Sequence, residues 1–214
     1  MTLKFYFHPL SSYSHKALIA LYENGIAFEP RSVSDARHAA ELEELWPVMR
    51  FPLLRDEARD WTVPEASIII EYLAQHYPGP VKLVPDDPDC ARQVRLRDRF
   101  FDNYLHAHVQ KFAFDHVRPE GTHDAYGVAQ AKQQYFVALG MVEKALAGRT
   151  WAMGEAFTMA DCAAAPPLFY GNRFFGPFRD SHPLTTAYLE RLMARPSYAR
   201  ALREAEPYFH MLPK

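Results

Sequence analysis

Apolar and polar positions follow different rhythms in the two parts of the chain. Leu3-Lys4-Phe5-Tyr6-Phe7 is an aromatic-rich run closed by His8-Pro9, and it predicts a strand. Residues 14–24 place Ala17, Leu18, Leu21 and Tyr22 on one helical face, with Gly25 as the stop signal. Residues 27–33 read as a second strand and 36–45 as a charged surface helix. Two short strands, 52–55 and 61–63, flank the polar turn 56–60 and predict a hairpin. Residues 65–76 then form a helix whose apolar face is Ile68, Ile69, Tyr72 and Leu73. The order β-α-β, then β-β-α, predicts a compact mixed sheet with helices in about the first eighty residues.

Two proline clusters follow, Pro78-Gly79-Pro80 and Pro85-Asp86-Asp87-Pro88, and read as an interdomain linker. Beyond them the strand signals vanish. Residues 90–115 predict one long helix, apolar at Val94, Phe101, Leu105 and Val109, with Arg92, Arg95, Arg99 and Asp102 on its charged side. Helices over 123–146, 158–170, 184–194 and 197–204 complete an all-helical second half. The expected division is 1–78, a linker at 79–88, and 89–214.

Composition narrows the class. The 214 residues carry 24 Lys and Arg against 26 Asp and Glu, a net charge of −2 that argues against a nucleic-acid partner. Two cysteines, Cys90 and Cys162, rule out a disulfide scaffold and a four-thiolate zinc site. The opening residues lack the basic-then-apolar layout of a secretory signal. The longest uncharged stretch, 162–172, is too short to span a bilayer and contains Pro166-Pro167. A cytoplasmic protein without a membrane partner is the expectation.

Three places carry candidate chemistry. His8-Pro9-Leu10-Ser11-Ser12-Tyr13-Ser14 sets three serine hydroxyls beside a helix N-terminus, which stabilises anions and lowers a thiol's pKa. The same serines also suit helix capping. Phe51-Pro52 enters the third strand, and a cis bond there would offer the Phe51 backbone to a ligand. Pro64-Glu65-Ala66-Ser67 opens a helix where a carboxylate would meet backbone N–H groups and an ammonium would meet Glu65. Capping is again the plainer alternative. His106 and His108, two apart on a helix, point to different sides and predict no metal pair. Asp102 and His106, four apart, read as a surface pair.

Taken in order, the strand–Ser–Ser–helix, Phe51-Pro52 and Pro64-Glu65-Ala66-Ser67-Ile68-Ile69-Ile70-Glu71-Tyr72-Leu73 resemble the cytosolic glutathione transferases, serine type. Phe157-Thr158-Met159-Ala160-Asp161 is similar to that family's capping motif, with Thr158 and Asp161 placed to cap reciprocally. The resemblance implies an α+β, thioredoxin-like N-terminal domain followed by an all-α domain, usually in a homodimer. It implies glutathione as co-substrate, no further cofactor, and a small hydrophobic electrophile in a pocket between the domains.

Matched residue by residue, the resemblance puts the catalytic hydroxyl at Ser11, with Ser12 and Ser14 as neighbours able to substitute. Ser11-Ser12-Tyr13-Ser14 is similar to the zeta-like Ser-Ser-Cys-Ser, with Tyr13 in place of cysteine, which disfavours a cysteine-based mechanism. Tyr6, on the first strand, ranks below Ser11. Glutathione binding falls to Ser11, Arg50, Phe51, Pro52 (in cis), Glu65, Ala66 and Ser67. Ala66 departs from the family's usual serine, with Ser67 as the expected compensation, and Trp46-Pro47 replaces the usual Asn-Pro. Tyr104, His108 and Phe112, at i, i+4 and i+8, are the expected electrophile-pocket wall. Two other readings stand beside conjugation: a zeta-like glutathione-dependent isomerase, and a non-catalytic member acting through binding or protein–protein interaction, similar to stringent-starvation relatives.

Overall fold

In the computed structural model, which describes residues 2–213, the first strands and helices alternate as their sequence pattern predicts. Strand β1 (Leu3–Phe7) leads through α1 (Ser12–Glu23) to β2 (Glu29–Ser32) and α2 (Ala36–Leu45). Strands β3 (Leu53–Asp56) and β4 (Trp61–Pro64) follow, then α3 (Ala66–His76). The sheet order is β2-β1-β3-β4. β1 and β2 are parallel, with Phe5 opposite Pro30, while β1–β3 and β3–β4 are antiparallel, with Tyr6 opposite Leu53.

Alternation along β1 sorts its side chains between two cores. Leu3, Phe5 and Phe7 join the large cluster that runs through α1 and α3 into the helical half. Tyr6 faces the other way, into a small cluster with Leu42 and Leu53, and donates to Glu41 Oε2 at 2.9 Å. Helix α1 is buried on every face from Ser14 to Leu21, because the sheet, α3, α7 and α9 enclose it.

The second half is α4 (Pro88–Phe101), α5 (Ala107–His116), α6 (Ala125–Ala145), α7 (Met159–Phe174), α8 (Pro183–Ala194) and α9 (Pro196–Ala205). The long helix expected over 90–115 is broken in character at Asp102–His106, a π turn between α4 and α5. That extra residue per turn rotates everything beyond it relative to a regular α-helix. Asp102 and His106 are thereby buried, which corrects their reading as a surface pair. Pro166 and Pro167 lie within α7 instead of ending it. The reciprocal box of Thr158 and Asp161 opens α7, and Thr158 N–H donates to Asp161 Oδ2 at 2.8 Å. Among the described residues no helix is long and apolar enough to cross a membrane.

Candidate functional site

The site grows from the turn between β1 and α1. His8 Nδ1 accepts from Leu10 N–H at 3.1 Å, and Ser11 N–H donates to His8 O at 2.9 Å. Buried His15 and Tyr170 hold the turn from beneath: His15 Nε2–H donates to Pro9 O at 2.6 Å, and the Tyr170 hydroxyl donates to Leu10 O at 2.9 Å. Burial pulls the His15 imidazole down to about 4, so it stays a neutral brace. Ser11 caps α1, its Oγ accepting from Ser14 N–H at 3.2 Å. Ser11 also lines a cleft of about 630 Å³ between the two halves of the chain, so capping does not remove it from the cleft.

Around that cleft the structure brings together Ser11, Ser12, Arg50, Phe51, Pro52, Glu65 and Ala66, which lie on three separate stretches of sequence. The Phe51–Pro52 bond is cis. Glu65 has φ +69°, a left-handed conformation that non-glycine residues avoid, and it precedes α3 with its side chain exposed. Trp46 and Met49 also line the cleft. The N-terminal end of α1 and its hydroxyls are suited to an anion, and Glu65 to a cation.

Two expectations are corrected. Ser67 does not line the cleft: one residue along α3 turns its side chain about 100° away from that of Ala66. Its hydroxyl instead donates to Asp98 Oδ2 at 2.8 Å and accepts from Lys16 Nζ at 2.8 Å, deep in the domain contact. Tyr104, His108 and Phe112 do not form the wall either. Tyr104 is 57% exposed, Phe112 stacks on Phe174 with ring centres 5.2 Å apart, and His108 is half-buried off the cleft. The residues of α5 that do reach the cleft are Gln110, Ala113 and Phe114. The π turn shifted the helix register after the expectation had assumed unbroken α geometry. Tyr6 lies outside the cleft, on the α2 side of the sheet.

Other participants come from the domain contact. Lys16 is buried between Asp98 Oδ1 and Asp102 Oδ2, each at 2.7 Å, and Arg99 adds a contact to Asp102 at 2.6 Å. Burial holds the Asp102 carboxyl above its usual range, against the attraction of Lys16. One turn toward the N-terminus of α1, the Ser12 hydroxyl is hydrogen-bonded to His106 Nε2. His106 is pulled down to about 3, first by burial and then by the Lys16 charge. The sequence signal for this network was Lys16, four residues after Ser12 and directly before the apolar run 17–22.

Comparison with known proteins follows the same outline. Residues 5–81 match the family described as Glutathione S-transferase, N-terminal domain, and 103–196 match Glutathione S-transferase, C-terminal domain. A Stringent starvation protein A homolog from Coxiella burnetii is 33% identical over 172 residues, covering 79% of this chain and 75% of that protein. Maleylacetoacetate isomerase from Pseudomonas aeruginosa is 26% identical over 211 residues, covering 96% and 98%. A crystal structure of a glutathione S-transferase from Methylobacterium radiotolerans, in complex with glutathione sulfonate, superposes with a TM-score of 0.79 at 30% identity, covering 93% of each chain.

Proposed function

The chain belongs to the glutathione S-transferase family, and from that premise we propose that it binds reduced glutathione and adds its sulfur to a small apolar electrophile. The observation that carries this reading is the gathering of Ser11, Phe51, Pro52, Glu65 and Ala66 around one cleft at the α1 N-terminus. The thiol lies at Ser11. Because Ser11 Oγ accepts from Ser14 N–H, its hydroxyl hydrogen is free for the sulfur, and donation to the charged form lowers the thiol pKa. The Phe51 backbone pairs with the cysteinyl unit, and the γ-glutamyl end lies at Glu65 and the first turn of α3.

The electrophile enters beside Tyr13, Gln110, Ala113 and Phe114, where α5 forms the far wall. Holding thiolate and electrophile together supplies rate through proximity, and the activated sulfur supplies the nucleophile. The likeness to maleylacetoacetate isomerase supports one variant, addition of glutathione across a maleyl double bond. The active protein is a homodimer in the cytoplasm. Exposed Trp61 and Ile68, next to the Arg95–Glu71 ion pair, provide an apolar contact face.

A second reading, a family member that binds partners without catalysis, is favoured by the 33% likeness to a stringent starvation protein A homolog and by Ala66. Isothermal titration with reduced glutathione, with S-methyl glutathione as control, separates the two. Binding at about millimolar or tighter supports the transferase. A folded protein that gives no heat with either ligand supports the second reading.

A further inference from the structure

We propose that His106 is a positioning residue for the thiol site, holding the Ser12 hydroxyl so that Ser12 acts beside Ser11 as a second donor to the glutathione sulfur. This rests on the glutathione-binding reading above and extends it to a residue from the other half of the chain.

The two serines are prepared in the same way. Both line the cleft, and each has its oxygen engaged by a fixed nitrogen: Ser14 N–H for Ser11, His106 Nε2 for Ser12. A neutral imidazole carries one hydrogen. With that hydrogen on Nε2, the ring donates to Ser12 Oγ, and the Ser12 hydroxyl hydrogen is left free for an acceptor in the cleft. A thiolate there accepts from both serines. His106 is suited to the task because it is 1% exposed and remains uncharged across the working pH range. Charged or titratable groups around the pair are Lys16 and Asp102 behind it, Tyr13 beside it, and His8, Arg50 and Glu65 across the cleft.

The backbone gives a second, independent argument. His106 ends the π turn at Asp102–His106, a rare geometry that recurs at functional sites. Lys16 and Asp102 bond one helical turn from the Ser12–His106 contact, so two rungs, Ser12–His106 and Lys16–Asp102, tie α1 to the turn. The lower rung fixes the spacing that the upper one needs. Tyr13 packs its ring against His106 with centres 3.9 Å apart and limits the ring's rotation.

The test is the pH midpoint of thiolate formation in the complex with glutathione, followed by ultraviolet absorbance at saturating ligand. Ser12→Ala and His106→Leu are each expected to raise that midpoint by about one pH unit, the worth of one hydrogen bond to the charged form. The double variant is expected to shift no further than either single one, because the same donor to the sulfur, the positioned Ser12 hydroxyl, is lost in all three. His106→Gln, which keeps an N–H donor, is expected to restore at least half of the shift. An unmoved midpoint in Ser12→Ala overturns the inference, as does a double variant whose shift is the sum of the two. Should His106→Leu fail to fold, Ser12→Ala and His106→Gln still decide it. Glutathione affinity of the unaltered protein is measured alongside. If it does not bind, the underlying reading falls and this inference with it; binding with an unmoved midpoint removes the inference alone.

Discussion

Lys16 Nζ lies 2.7 Å from Asp102 Oδ2, and both side chains are almost wholly withdrawn from water although they come from different halves of the chain. A cation so placed on α1 is stable only while its carboxylates remain. Lys16→Met leaves Asp98 and Asp102 buried with Arg99 as their remaining counter-charge, and is expected to cost about 3–5 kcal/mol in denaturant unfolding. Adding Asp98→Asn and Asp102→Asn should recover part of that loss, since buried amides need hydrogen-bond partners but no counter-charge. A Lys16→Met loss below about 1 kcal/mol would show that the contact is not a structural necessity.

Stability should fall on acidification through the buried histidine under the active turn. His15 takes a proton near 6.5 when unfolded and only near 4 when folded. Below 6.5 the unfolded chain therefore binds the extra proton, so this contribution is complete above 6.5 and is lost progressively toward 4. Equilibrium unfolding measured at a series of pH values should show that decline. Buried His106, pulled down to about 3, adds a decline of the same sign, so His15→Gln should make the slope shallower without removing it, and an equally steep slope in the variant would assign the effect elsewhere.

Ser11→Ala should separate two roles of one oxygen. Losing the cap should lower stability by about 1 kcal/mol. Losing the donor to a developing thiolate should lower kcat by about 100-fold with KM changed far less. Steady-state kinetics with a chromogenic electrophile check this, and unchanged kcat would move the catalytic hydroxyl away from Ser11.

Ala66 is the cheapest route to a tighter site. It is buried at the start of α3 and lines the cleft, and Ser67 is already committed to Asp98. Ala66→Ser should tighten glutathione binding by about fivefold through one added hydrogen bond. Calorimetric titration measures it, and weaker binding would mean that no carboxylate approaches this turn.

Trp61 and Ile68 are both more than half exposed on neighbouring elements, β4 and α3. Trp61→Lys with Ile68→Glu should convert a homodimer to monomers, because charge on an apolar contact face must be desolvated for association. Light scattering coupled to size-exclusion chromatography reports the mass. A dimer that survives both changes would relocate the interface.

Much of the architecture was legible because local patterns and tertiary fold agree. The β1 and α2 bounds, the hairpin and the Thr158–Asp161 box all follow from short-range periodicity and capping chemistry. The motif positions Ser11, Phe51, Pro52 and Glu65 were readable one by one, and the fold places them round a common cleft. The helical wall was not readable. A π turn leaves no mark in apolar spacing, since Val94, Phe101, Leu105 and Val109 are buried just as an unbroken helix would predict. It changes instead the placement of the residues between these positions: Asp102 and His106 are buried, and Tyr104, His108 and Phe112 lie off the cleft.

The sequence by itself therefore determined most of the elements, their order and the motif residues at Ser11, Phe51, Pro52 and Glu65, because these depend on contacts a few positions apart. Tertiary structure alone decided which side chains face inward at the domain contact. Whether Lys16, Asp102 and His106 are solvated or buried depends on α1 meeting a helix some ninety residues away. A charged residue looks the same in sequence in either setting; only the presence of its partner makes burial stable.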